Sequence, residues 1–231
     1  MQNIFKVTSG DRNKFCTHII ETSAPRADFY FLVILSALIA ALGLLADNVI
    51  LVIGGMLVAP LLSPILALAL GIVINDGKVI LRSVKILALS FAFSFLVAFI
   101  LGLFSGKSMA EISLIDIMRP DLSIVFVAIV AGLAASYTWA KPGLNETLAG
   151  IAVTVTLIPP LSAIGLAVSQ REWIVAGDVF KVLLLNVFGI IVASLIVFSL
   201  MDFYKCKKKI VTEVKEQEKE LEAEKKKNNK K

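Results

Sequence analysis

The sequence predicts an all-α polytopic membrane helical bundle, with six spans arranged as two inverted three-helix repeats and the middle helix of each repeat broken at proline. Three observations carry that expectation. Hydrophobic residues make up 58% of the 231 and mean hydropathy is +0.86, the composition of a multi-spanning membrane protein rather than a soluble domain. Six apolar segments approach or exceed the ~20 residues needed to cross roughly 30 Å of hydrocarbon at about 1.5 Å per residue. Two of them, 49–74 and 144–168, are interrupted near the middle, by Pro60 and Pro64 in one and by Pro159 and Pro160 in the other.

Residues 1–28 form a polar cytoplasmic segment with four basic residues and no apolar core, so no signal peptide is expected there. Membrane repeat 1 then covers 29–120, with spans at 29–46, 49–74 and 84–104. Membrane repeat 2 covers 121–204, with spans at 123–140, 144–168 and 174–201. Asp47-Asn48 and Lys141-Pro142-Gly143 are tight connections that deliver the chain into the two broken segments. The charged cytoplasmic tail, 205–231, reads as a solvated helix that frays into a basic end, although Ile210, Val214 and Leu221 share a helical face.

The halves repeat weakly. Asn48, Gly54 and Pro60-Leu61-Leu62-Ser63 answer Asn145, Gly150 and Pro160-Leu161-Ser162, and Lys85 with Ser90 answers Lys181 with Asn186. Three spans per half turn the second half upside down, which makes the repeat inverted. With the N-terminus inside, the cytoplasmic segments hold Lys78, Arg82, Lys85, Lys141 and the basic head and tail. The outer loops hold only Lys107, Arg119, Arg171 and Lys181. The positive-inside rule therefore places both termini in the cytoplasm of a cell-membrane protein. A rival arrangement, with both broken segments re-entrant, balances charge less well.

The stretches 36–48 and 53–65, the second containing Gly54-Gly55-Met56-Leu57-Val58-Ala59-Pro60-Leu61-Leu62-Ser63-Pro64, resemble the first signature of the domain-of-unknown-function 389 family. Leu157-Ile158-Pro159-Pro160-Leu161-Ser162 resembles its second. The sequence departs from the family pattern at Gly55, where alanine is usual, a change expected to have little consequence. The resemblance spans about 28–201 and implies a multi-pass membrane protein; it implies no reaction or substrate.

The proline breaks are the candidate site. A proline inside a helix removes a donor and costs about 3 kcal/mol or more. In lipid, the carbonyl it frees is tolerated only where protein or a polar cavity surrounds it. Ser63-Pro64 reads as a helix start with Ser63 as N-cap, and Pro159-Pro160 as a second. The expected substrate-binding residues are Pro60, Ser63, Pro64, Thr154, Thr156, Pro159, Pro160, Ser162 and Asn186. Amides at a helix start suit an anion, whereas freed carbonyls suit a cation, and the sequence leaves both open. The competing reading of each break is a plain kink whose carbonyl takes a neighbouring hydroxyl.

Two cysteines and one histidine make a protein-bound metal an unlikely design, and no cofactor is expected. No metal-protease, nucleophile-elbow or phosphate-loop motif is present and the one histidine, His18, lies in the head, so the chain is not expected to be an enzyme. The expected partners are the lipid bilayer and a small solute or ion, with no nucleic acid and a homo-oligomer left open. The expected function is a transporter or channel, the alternative a non-transporting membrane scaffold.

Overall fold

The computed structural model describes residues 8–106, 112–118, 120–141, 144, 156–207, 210, 212 and 214. Among the described residues eight α-helices follow one another: α1 (Ser9–Thr22), α2 (Ala27–Leu45), α3 (Val49–Val58), α4 (Leu62–Val73), α5 (Gly77–Phe104), α6 (Leu122–Ala140), α7 (Ile158–Ser169) and α8 (Trp173–Leu200). Short 3-10 helices lie at Ser113–Met118 and Phe203–Cys206. No strand occurs among the described residues.

The turns are local chemistry. Asp47, Asn75 and Arg171 adopt left-handed backbone at φ 50°, 51° and 62°. The following amides reach five residues back, Asn48 to Gly43 O (2.9 Å), Asp76 to Gly71 O (3.0 Å) and Glu172 to Ala167 O (2.9 Å). That pattern satisfies the carbonyls a helix leaves over at its C-terminal end. Asn48 then accepts from the amides of Ile50 and Leu51, and Asp76 from those of Lys78 and Val79, which starts the next helix.

Among the described residues four helices, α2, α5, α6 and α8, are long and apolar enough to cross a membrane, and α3 with α4 make a fifth if they count as one bent span. Their axes differ by 54° across Ala59-Pro60-Leu61. Of the expected fifth segment, 144–168, only Leu144, Thr156, Leu157 and α7 are described, and 145–155, with Thr154, lie outside the described residues. Three pairs of helices have equal lengths: 19 residues in α2 and α6, 12 in α4 and α7, 28 in α5 and α8.

The core is built from α4 and α7, each packed against both α5 and α8, with α2 lying along α3, α5 and α7 and α6 along α8. Every residue of α4 from Leu62 to Gly71 is buried. A helix apolar all round belongs in such a position. Small residues set the close approaches. A Cβ at Gly55 would stand 2.7 Å from Ala40 N and 2.9 Å from Ser36 O, so alanine there requires α2 and α3 to separate. The expectation that this glycine is of little consequence is therefore corrected. Ser36 also donates across that contact to Gly55 O at 2.7 Å, and Ser136 donates to Ser194 at 2.7 Å between α6 and α8.

The head and the start of the tail are more ordered than the sequence suggested. On α1, Phe15, Cys16, Ile19 and Ile20 are buried. Phe15 packs edge-on against Phe198 and Phe203, with centroids 5.4 and 4.7 Å away. Arg12 donates to Asp202 O at 2.9 Å, and Lys207 to Asn75 O at 3.1 Å. Ile210 and Val214 are buried, so at these positions the expected solvated tail helix is corrected to a packed one, while Leu221 lies outside the described residues. The head, the tail and the Asn75 turn thus meet at one end of the bundle. Near the other end Asp47 accepts from Ser113 and from Leu114 N (3.1 Å), holding the Ser113–Met118 helix against the turn between α2 and α3.

Candidate functional site

The two proline breaks solve the same backbone problem differently. Pro64 has no N–H for the carbonyl of Pro60 four residues back. The Ser63 hydroxyl takes that carbonyl at 3.2 Å and lies 3.3 Å from Thr22 O. It therefore donates to carbonyls. The N-cap expected of Ser63 is not formed, because α4 begins at Leu62 after Leu61, without a side-chain cap. Ser63 and Pro64 are buried, and neither they nor Pro60 lines the cavity at the second break. At this break the Pro60 carbonyl and the Ser63 hydroxyl are satisfied within the protein.

In the second half Pro160 leaves the carbonyl of Thr156 without its amide. The side-chain amide of Asn186, on α8, donates to Thr156 O at 2.7 Å. Asn186 stands at the middle of the 28-residue α8 and is 3% exposed. Its Oδ1 is buried and has no hydrogen-bond partner among the described residues. A buried acceptor left unmade costs about 1–3 kcal/mol, so its retention calls for a reason.

That oxygen belongs to a residue lining a cavity of about 320 Å³. Thr156, Pro159, Pro160 and Asn186 form its inner wall, with Val182 one turn from Asn186 on α8. Val49, Val52, Ile53 and Met56 supply one face of α3, Ile124 and Val127 face them from α6, and Leu114 and Met118 come from the 3-10 helix held by Asp47. Ser123, near the exposed start of α6, is the remaining polar residue, and its hydroxyl donates to Asp121. That hydrogen bond, with the Leu122 amide, lowers the carboxyl pKa of exposed Asp121. No Asp, Glu, Lys, Arg or His is among the described residues lining the cavity.

Of the nine residues expected to bind substrate, the structure brings Thr156, Pro159, Pro160 and Asn186 together. Ser63, Pro64 and Ser162 are buried elsewhere, with Ser162 Oγ 3.5 Å from Ala37 O, and Pro60 is half-buried and not among the residues lining the cavity. Thr154 lies outside the described residues. Ser90, the counterpart of Asn186 in the first half, donates to Ile86 O on its own helix at 2.8 Å. The α3 face was readable in principle, since Val49, Val52, Ile53 and Met56 recur at helical spacing on one side.

Residues 56–192, more than half of the chain, match the family described as Domain of unknown function (DUF389). The chain belongs to that family. The DUF389 match takes in both proline breaks and Asn186. An uncharacterised protein of Methanocaldococcus jannaschii is 28% identical over 168 residues, which is 73% of this chain and 52% of that protein. The chain thus spans about half the length of this relative. No solved structure matches it.

Proposed function

We propose that this DUF389 protein is a transporter or channel of the cell membrane that passes a small solute or ion through the cavity at the second proline break. The observation that carries the reading is Asn186: a residue at the middle of a long apolar helix that lines the cavity, its amide repairing the break and its oxygen left a buried acceptor. A scaffold gains nothing from an unsatisfied polar atom at membrane depth.

The same reading takes the chain as six crossings in two inverted repeats. A constant offset of 96 residues carries Leu62 to Ile158, Val73 to Ser169, Gly77 to Trp173 and Phe104 to Leu200, which supports duplication. Packing repeats with it: α4 lies on α5 as α7 lies on α8, and α4 lies on α8 as α7 lies on α5. At about 1.5 Å per residue α3 and α4 are roughly 15 and 18 Å long. Their 54° bend keeps the chain advancing, which supports a broken crossing over a re-entrant loop. Head, tail and Asn75 turn share one end, as an even number of crossings requires, and the positive-inside rule makes that end cytoplasmic. We read the protein as no enzyme and its partners as lipid and the solute, with no nucleic acid and with self-association left open.

Purified protein in liposomes, screened with small ions and neutral solutes, tests the proposal. Flux that falls in Asn186→Leu and Pro160→Ala proteoliposomes is the expected result. Folded protein with neither flux nor binding would leave the scaffold reading in its place.

A further inference from the structure

We infer that one face of α5 is a binding surface for an anionic phospholipid of the leaflet on the side of the head and tail, its phosphate on a ladder of basic residues and its acyl chains on the apolar stripe that continues the ladder. The inference stands whether or not a solute passes through the cavity. Lys78, Arg82 and Lys85 recur at i, i+4 and i+7, so they share one face at the start of α5. Lys78 and Lys85 are exposed, and Arg82 between them is half-buried. The same face continues through Leu89, Leu96 and Ile100, which are 43%, 49% and 46% exposed.

The depth fits a lipid. Residues 86–104 carry no charged side chain and, at about 1.5 Å each, run roughly 28 Å, close to the ~30 Å of a bilayer's hydrocarbon. Lys85 then stands at the hydrocarbon edge, with Arg82 about 5 Å and Lys78 about 10 Å further out along the axis. Headgroups occupy that layer, and long basic side chains reach into it while their stems lie on apolar surface. A fourth cation stands at the foot of the ladder: Lys207, itself exposed, donates to Asn75 O at 3.1 Å in the turn before α5. That bond uses one of its three ammonium donors. The Asp76 carboxylate at the same end accepts from the amides of Lys78 and Val79, both at 3.0 Å.

The matching helix supplies the contrast. The offset of 96 residues that relates α5 to α8 carries Lys78, Arg82 and Lys85 to Ile174, Asp178 and Lys181. There Lys181 is paired with Asp178 at 2.8 Å, and exposed Ile174 is apolar. Like charges three and four residues apart on a helix repel one another, so the α5 ladder is favoured where an anion lies against it. Each basic residue beside an anionic leaflet gains from it.

Native mass spectrometry of the full chain in neutral-detergent micelles tests this, with phosphatidylglycerol and phosphatidylcholine of identical acyl chains supplied in equal amounts. A basic residue near an anionic headgroup is worth about fivefold in affinity, so the two exposed lysines should favour phosphatidylglycerol on the order of twentyfold. Lys78→Gln with Lys85→Gln should remove that factor; both side chains are exposed, so the bundle stays folded. Lys181→Gln, which takes one charge from the matching face of α8, should leave it unchanged. An excess of soluble glycerophosphate should not displace the lipid, because the acyl chains hold it to the apolar stripe. Equal binding of the two lipids to the wild type, an equal loss in Lys181→Gln, or an undiminished preference in the double variant would overturn the inference. Displacement by glycerophosphate would overturn the lipid as occupant.

Discussion

Replacing Gly165 with alanine tests whether α5 and α7 are packed as described. An ideal Cβ there would stand 2.6 Å from Phe95 O, 2.7 Å from Ala98 Cβ and 2.9 Å from Phe99 N. Ordinary contact begins at 3.4 Å, so two of the three atoms that must give way are backbone, and α5 has to retreat by about 0.8 Å. Overpacking of this kind costs about 1–3 kcal/mol. Alanine also gains up to about 1 kcal/mol over glycine inside a helix, which masks part of the cost. Gly177 supplies the correction: it lies in α8 and a Cβ there meets nothing within 4 Å, so Gly177→Ala reports the propensity gain alone. Denaturant unfolding in micelles should therefore find Gly165→Ala less stable than Gly177→Ala by about 1–3 kcal/mol. Equal stabilities of the two variants would refute the close approach of α5 and α7, and with it the central position of α7.

Two further outcomes follow from the packing and the charged end. A double-mutant cycle on Ser136 and Ser194, whose hydroxyls are 2.7 Å apart in the interior, should give a coupling near 0.6 kcal/mol and no more than about 1.7, read by the same unfolding assay. At Asp202, the hydrogen bond from Lys205 is the main cause lowering the carboxyl pKa below 3.8, and the same bond raises the lysine above 10.5. The carboxylate's contribution to stability is present above 3.8 and is lost as pH falls through its lower folded value; the lysine's is present below 10.5 and is lost as pH rises through its higher one. Both side chains are about half exposed, at 48% for Asp202 and 53% for Lys205, so the effect is small and salt-sensitive. Asp202→Asn tolerates the left-handed backbone at φ 59° and should flatten both limbs of the stability–pH curve.

How far the sequence could be read depended on the range of the interaction. Helix positions came through because apolar length and proline are local properties: α6, expected at 123–140, runs Leu122–Ala140, and α8, expected at 174–201, runs Trp173–Leu200. The breaks were visible for the same reason. Their unequal fates were not, since they turn on which side chain reaches the freed carbonyl: Ser63 next door in one half, Asn186 thirty residues away in the other. Ser63 was read as a cap because serine before proline favours that role, yet its hydroxyl had a nearer carbonyl to serve. The docked head escaped because its net polarity hides a short buried stripe, Phe15, Ile19 and Ile20. The Ser113–Met118 wall depends on Asp47, more than sixty residues away, and no local pattern encodes such a tether.

The seating of Phe15 between Phe198 and Phe203 has a consequence for how this chain comes to be folded. Arg12 and the Asp202 carbonyl it grips are 190 residues apart, so during synthesis the earliest described helix emerges long before its socket exists. Its contact with α4 can form first, but its apolar stripe is fully covered only once α8 and the segment after it have been made, and its docking then serves as a latch on the assembled helices.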